Sequence, residues 1–224
     1  MSTKMDISQW YNVNEHINIV ATKKKFYNRY LHKLVYQVYG ATSIPYNKDV
    51  QDFFFKLSRF HDDVAHASIY EFYNVFHEKD QNLKFRIEGS TLAIFCEDIN
   101  YLYSLASTRF KNAKPHTLST ILDQKQEILL EQGLIIVKTP TDHIWRVNLR
   151  GGLCKNLHER HGLAEYLVNL GQEVKITKKM LYDLKSTAKY FGGGYFHVKD
   201  PRLVDMVRLI VPNLVKSVNQ LVVQ

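Results

Sequence analysis

Residues 83–96 constrain the fold more than any other stretch. Leu83, Phe85 and Ile87 alternate with Lys84, Arg86 and Glu88, Gly89-Ser90 follows, and Thr91–Cys96 is then almost wholly apolar. Strict alternation is the period of a strand with one buried face, and a two-residue connection containing Gly joins antiparallel neighbours. A chain committed to a hairpin here must cover its apolar face. Two helices offer to do so. Val50, Phe53, Phe54, Leu57, Phe60, His61 and Val64 recur at helical spacing behind Asn47 as an N-cap. Ser68 opens a second helix, with Glu71 completing a capping box and Ile69, Phe72, Tyr73 and Phe76 as its buried stripe.

The rest of the chain repeats that mixture. Residues 26–39 fit both a helical stripe and a strand, and their density of Tyr and Val favours the strand. Asp98 caps a helix that buries Ile99, Leu102, Tyr103 and Ala106, and a further helix runs from about Leu118 to a stop at Gly133. Residues 134–139 and 144–149 read as a second hairpin around Pro140-Thr141-Asp142. Helices follow near 155–170 and 178–188, then a strand at 195–198. A last helix is opened by Asp200 and Pro201, runs over 203–223 and is kinked or restarted at Pro212. Strands in hairpins with helices between them predict an α+β fold with a mainly antiparallel sheet. The expected division is an N-terminal α+β region over 1–131 and a basic C-terminal α+β region over 132–224, which one compact domain would also accommodate. A strand–Asp–helix pattern occurs at 92–106 and again at 195–211, a match of a few residues that is compatible with an internal duplication.

Composition removes several classes. With 224 residues, 45% hydrophobic and 12% aromatic, the chain can bury a sizeable core, which excludes intrinsic disorder. No apolar run approaches the ~20 residues that span a bilayer, and Asp6, Asn12, Asn14, Glu15 and His16 interrupt any signal-peptide core. Cys96 and Cys154 form neither a metal spacing nor a disulfide framework. A reducing, cytoplasmic location is therefore expected, and with it no membrane and no cofactor. The Asn-, Lys- and Tyr-rich composition is compatible with a phage or viral protein working in host cytoplasm.

The net charge of +8 is unevenly spread. Residues 1–60 carry +5, residues 61–131 carry −4 and residues 132–224 carry +7. No acidic residue lies between Glu15 and Asp49, where Lys23, Lys24, Lys25, Arg29, Lys33 and Lys48 fall. Such a field attracts polyanions. Phe26, Tyr27, Tyr30, Tyr36 and Tyr39 interleave with these cations, the pairing by which proteins hold nucleic-acid strands through backbone charge and base stacking. On the strand at 144–149, Arg146, Asn148 and Arg150 share one face beside Gly151-Gly152, and two arginines are bidentate phosphate donors. Lys178, Lys179, Lys185 and Lys189 ride on a helix capped by Thr177, with a helix before it and a Gly-containing strand after. That order resembles a winged helix-turn-helix, although the connection 171–176 is long and one wing strand is clear.

Ten histidines require an enzymatic reading as well. Asp62 and His66 are four apart on one helical face, a workable spacing for two metal ligands. The His61-Asp62 pair resembles the centre of the HD-type phosphohydrolases; that resemblance implies an earlier His and a distant Asp, places His32 and Asp123 could fill. It covers two contiguous residues. His158 and His161 are three apart, not the four of a zinc-protease helix. His66-Ala67-Ser68 resembles one half of a two-histidine phosphoesterase signature whose second half is missing. Gly192-Gly193-Gly194 precedes a strand and reads as a bend, not a phosphate loop.

The expectation is a non-catalytic nucleic-acid-binding protein making mainly phosphate contacts to DNA or RNA. Lys23, Lys24, Lys25, Arg29 and Lys33 would form one surface. Arg146, Arg150, Lys178, Lys179 and Lys185 would form another, with Tyr27, Tyr30 and Tyr195 stacking. The alternatives are a metal-dependent phosphohydrolase or nuclease centred on His61, Asp62 and His66, and an assembly or adaptor protein of a virion or replication complex. The adaptor would use acidic protein partners or copies of itself.

Overall fold

The computed structural model describes residues 6–46, 49–57, 63–153 and 157–223, with the backbone alone given for residues 54, 56, 57 and 63–66. The chain forms two compact units, Met1–Gln124 and Lys125–Gln224. Both are α+β with mainly antiparallel sheets. No described helix is long and apolar enough to cross a membrane.

The first unit is built on five strands: β1 (Asn18–Ala21), β2 (His32–Gln37), β3 (Lys84–Glu88), β4 (Thr91–Cys96) and β5 (Pro115–Thr120). They lie in the order β1-β5-β2-β4-β3. Only β1 and β5 run parallel. The hairpin at 83–96 is present, with Glu88 opposite Thr91 across Gly89-Ser90. Among the described residues three α-helices stand between these strands: α1 (Val50–Leu57), α2 (Asp63–His77) and α3 (Ile99–Ser104). Leu34, Tyr36, Leu92, Ile94 and Leu118 on one sheet face form the core with Ile69, Phe72 and Tyr73 of α2 and with Leu102, Leu105 and Ala106. Phe72 stacks on Phe110 at 4.4 Å and meets Tyr36 edge-on at 4.8 Å, geometries that add specificity to burial. Asp98 caps α3 by accepting from the Asn100 and Tyr101 amides.

Two expectations change here, and a third falls on a residue outside those described. Asn47 lies outside the described residues, and the Asp49 carboxylate accepts from the Gln51 and Asp52 amides at the start of α1. Ser68 and Glu71 are interior to α2 and form no capping box. Their side chains instead hold Asn112, the Ser68 hydroxyl donating to its carbonyl and Glu71 accepting from its amides. Leu118 belongs to β5, not to a helix running to Gly133. Flanked by Thr117, Ser119 and Thr120, it fits a β-branched, fully paired strand better than a helix interior. The helix that does reach Gly133 is short, α4 (Gln124–Glu131).

The second unit contains β6 (Ile135–Val137), β7 (Trp145–Leu149), β8 (Gly152–Leu153), α5 (Leu157–Asn169), β9 (Val174–Lys175), α6 (Lys178–Lys185), β10 (Tyr190–Phe191), β11 (Gly194–Val198), α7 (Arg202–Ile210) and β12 (Val215–Val223). Its main sheet has the order β6-β12-β7-β11-β9, and β8 pairs with β10. Val147, Leu149, Phe196 and Val198 pack against Leu163 and Leu167 of α5, Met180 and Leu184 of α6, and Val204 and Val207 of α7. Thr177 caps α6 through the Met180 amide, and Asp200 accepts from the Arg202 amide at the start of α7.

Two further readings are overturned. Residues 134–139 and 144–149 do not pair with each other, because β12 lies between β6 and β7. The expected C-terminal helix ends at Ile210. Pro212 has no amide to continue it, and residues 215–223, five of them Val or Leu, become the central-sheet strand β12.

The two units repeat one topology. Matching β1, β2, β3, β4 and β5 to β6, β7, β9, β11 and β12 reproduces the strand order, including the single parallel pair. The irregularities match as well. Opposite Val35 and Tyr36, β5 skips His116, and opposite Asn148 and Leu149, β12 skips Lys216. Asp98 follows the last residue of β4 by two, and Asp200 follows the last residue of β11 by two. The strand–Asp–helix trace in the sequence is therefore the visible part of a repeated fold.

Two glycines with positive φ give a test. Gly89 (φ +57°) has open space where a Cβ would sit, whereas at Gly193 (φ +77°) a Cβ would lie 2.9 Å from the Gly151 backbone nitrogen. Gly89→Ala is expected to cost about 1 kcal/mol, the penalty of a left-handed conformation. Gly193→Ala is expected to cost about 3 kcal/mol, since backbone overlap is added. Urea unfolding of both variants measures the difference; equal costs would show that the close approach at Gly193 is not there.

Candidate nucleic-acid interface

Each five-stranded sheet buries one face under helices and leaves the other as the candidate surface. In the first unit residues 22–31 fold back over that open face. Thr22 anchors the segment, its amide donating to the Thr120 carbonyl and its hydroxyl to the Leu31 carbonyl. A tight turn closed by reciprocal Phe26 and Tyr30 amide bonds places Tyr27 (φ +54°) and Asn28 (φ +60°) in the left-handed region. A tyrosine there is unusual. Its ring meets Phe95 edge-on at 5.0 Å, and Phe26 meets the same ring at 5.3 Å. Cations occupy the ring faces: Lys84 lies 4.6 Å from Tyr27, Lys33 5.3 Å from Phe26 and Arg29 5.1 Å from Tyr30. Arg29 also pairs with Glu97, and Arg86 with Glu88. Burial, and then the neighbouring Arg86, pull the Lys33 ammonium below the ordinary lysine range.

The candidates in this unit separate. Lys23 and Lys24 are exposed, Lys25 and Lys33 are half-buried, and Tyr27 is 50% exposed. Tyr30 is buried, at 6% exposure, so its ring supports Phe95 from beneath while Tyr27 faces outward.

The open face of the second unit carries a polar network. Arg146 stacks over the Tyr195 ring with its guanidinium carbon 3.5 Å from the centroid, and its Nε donates to Asn148. Asn148 Nδ2 donates in turn to Ser217 and Asn219. His197 touches Tyr195 edge-on at 5.3 Å. Burial, followed by the charges of Arg146, Lys175 and His143, pushes the His197 imidazole below its ordinary range. Burial likewise lowers Arg146. Tyr195 keeps 41% of its surface exposed.

Arg150 is exposed just beyond β7, and Lys178, Lys179 and Lys185 are exposed on α6, away from its buried Met180 and Leu184. Helices α5 and α6 pack together, while the connection between them holds a 3-10 turn at Gly171–Glu173 and then β9. Strand β11 lies within the main sheet, between β7 and β9.

Register shows what the sequence alone did not. Across the first sheet, Lys84, Phe95, Lys33 and Ser119 form one row on the face that residues 22–31 partly cover, where Lys84 is exposed, Lys33 half-buried, and Phe95 and Ser119 buried. The matching row of the second sheet is Lys175, His197, Arg146 and Asn219. Cation, ring, cation and hydroxyl or amide recur in the same places. Lys84, Lys175 and His197 were not among the expected site residues. Alternation in the sequence marks Lys84 as outward-facing, and the pairing shows which neighbours all three meet.

The alternative catalytic cluster fares differently. His61 and Asp62, and the side chain of His66, lie outside the described residues. His32 is buried, with Nδ1 2.8 Å from the Thr120 hydroxyl. Among the described residues no group of three His, Cys, Asp or Glu side chains could hold a metal ion. Cys96 is buried, which raises its thiol pKa and disfavours the thiolate.

The depressed His197 has a pH consequence. Below its ordinary value of 6.5, the unfolded chain binds a proton at this position that the folded chain refuses, so stability falls as pH drops through that value. Wild type is expected to lose more of its urea midpoint between about pH 7.5 and about pH 5.5 than His197→Gln does. Equal losses would place His197 in an ordinary aqueous environment. Comparison of the chain with protein-family profiles, with curated proteins and with solved structures finds no match in any of the three.

Proposed function

We propose that this protein binds nucleic acid through the open faces of its two sheets, by phosphate contacts and ring stacking, without chemistry of its own. One observation carries the reading: a row of cations around an aromatic ring recurs at equivalent positions of two units with the same strand order. A cation held against a ring on a paired strand has given up most of its rotamer freedom before any ligand arrives, so less entropy is lost on binding. Beside each row a further ring stays partly exposed under one of its cations, Tyr27 under Lys84 and Tyr195 under Arg146. Exposed rings beside cations suit unpaired bases on a charged backbone. The charge balance agrees, since residues 125–224 hold 15 basic against 9 acidic side chains.

Binding of labelled single- and double-stranded DNA and RNA across a salt series tests this. Affinity should fall steeply with salt, because counterions return to the phosphates. Lys33→Glu with Lys84→Glu, and separately Arg146→Glu with Lys175→Glu, should weaken all sequences about equally. Each pair should also lower the salt slope by roughly 1 for every phosphate left without its cation. Tyr27→Ala and Tyr195→Ala should each weaken single-strand binding by about 1–3 kcal/mol and leave duplex binding nearly unchanged. Absence of polynucleotide binding even at low salt defeats the proposal.

A further inference from the structure

The second unit contains a buried cation that its own chain leaves incomplete. Arg160, in the first turn of α5, is 1% exposed. Its Nε donates to the Leu184 carbonyl and its Nη1 to the Ala188 carbonyl, both at 3.1 Å. These bonds tie α5 to the end of α6. Nη2 is buried with no hydrogen-bond partner, and no carboxylate among the described residues forms an ion pair with the guanidinium. A buried arginine without a counter-ion is costly, and arginine cannot discharge itself by losing a proton. Something outside the described chain would offset that cost.

Arg160 lines a cavity of about 300 Å³. Arg150, exposed just beyond β7, also lines the wall, together with Gly151 and with Gly152 and Leu153 of β8. Leu153, Phe191, Val211 and Leu214 make the remainder mostly apolar, with Asn213 as a neutral polar group and Glu159 as the single carboxylate. Phe191 is buried, with the Arg160 guanidinium carbon 5.8 Å from its ring centroid. An apolar cavity of this size with a few convergent polar groups is the ordinary form of a small-ligand site. Two arginines select an oxyanion, and the ring and aliphatic wall select an apolar or flat body attached to it.

We infer that this cavity binds a phosphomonoester joined to an aromatic base, the phosphate meeting Arg160 Nη2 and Arg150 and the base lying against Phe191, Leu153 and Leu214. Two sources share that chemistry, a free mononucleotide and the phosphorylated end of a strand. The second source rests on the nucleic-acid reading above; the first does not.

Calorimetric titration with adenosine 5′-monophosphate, adenosine and inorganic phosphate tests the site. The monophosphate should bind at least tenfold more tightly than either fragment, because each fragment forgoes one half of the cavity. Arg160 also holds α6, so its replacement could unfold the unit. Arg150→Ala is the informative variant: it is exposed, its fold should persist by circular dichroism, and it should lose at least tenfold in monophosphate affinity. Lys138→Ala, which removes the same charge outside the cavity, should bind as wild type does. Equal binding of the monophosphate and adenosine, undiminished binding by Arg150→Ala, or no binding of the monophosphate at millimolar concentration would overturn the assignment. A tenfold preference for a 5′-phosphorylated over a 5′-hydroxyl oligonucleotide, abolished in Arg150→Ala, assigns the site to strand ends. Monophosphate binding without that preference assigns it to free nucleotides. The monophosphate result stands even where no polynucleotide binds, so failure of the interface and failure of the cavity are told apart.

Discussion

Each unit depends on a strand that is last in its own sequence and inner in its sheet. Strand β5 enters between β1 and β2, and β12 enters between β6 and β7. Until that strand arrives, β1 and β6 have no partner in their sheets, and β2 and β7 expose an unpaired edge. Unpaired backbone amides and carbonyls are expensive to bury, so the first and second strands cannot settle independently of the last. The insertion also explains the mixed pairing. One neighbour of the inserted strand runs parallel and the other antiparallel, which no succession of hairpins can produce. Folding must close a loop of most of a unit's length, an arrangement associated with slow folding.

The same insertion separates two faces with different electrostatics. Helices cover one side of each sheet, and side chains of opposite parity crowd the other. Arg146 loses part of its solvation on that open side and Lys33 is held down by burial and by Arg86. Cations brought this close repel one another, and aromatic faces with partial solvation offset only some of that repulsion. Under the proposed reading, a polyanion along these rows would relieve part of that repulsion. That asymmetry, more than the net charge, supports a binding role for these rows.

Local chemistry is readable in the sequence, and insertion is not. The hairpin at 83–96, the Asp98 and Thr177 caps and the strand at 195–198 rest on residues within a few positions of each other, and the structure has them. The apolar spacing of Leu118 and of residues 215–223 fits either period, the helical one included. Only their places between distant strands make them β. Ser68 and Glu71 show the same limit, since the spacing of a capping box serves instead to hold Asn112. In the candidate site, the contiguous run from Lys23 to Lys33 is visible as charge, but Tyr30 turns inward and Tyr27 outward through one tight turn. Lys84 and Lys175 need the register. Arg160, between His158-Glu159 and His161, resembles any solvated helix surface in sequence; its burial arises from hydrogen bonds to residues 24 and 28 positions away.

Comparison of the two units separates the shared frame from what was added to it. Strand order, the parallel pair, the skipped residue and the capping Asp are held in common, and so are the open-face cations. Between its third and fourth strands the first unit has only Gly89-Ser90, where the second has α6 and β10. Strand β8, which precedes α5, exists only as the partner of that β10. Gly152, Leu153 and Phe191 of the cavity come from β8 and β10, and Arg160 is fixed by carbonyls at the end of α6 and just after it. The cavity therefore needs β8 and β10, which the first unit lacks, together with α5 and the segment after α7, whereas the charged rows belong to the shared frame. The carbonyls that α6 and the segment after it add here hold Arg160 of α5 buried with one nitrogen unmatched. That it is held so, while the frame keeps its register, argues for a ligand at the cavity distinct from whatever lies along the open faces.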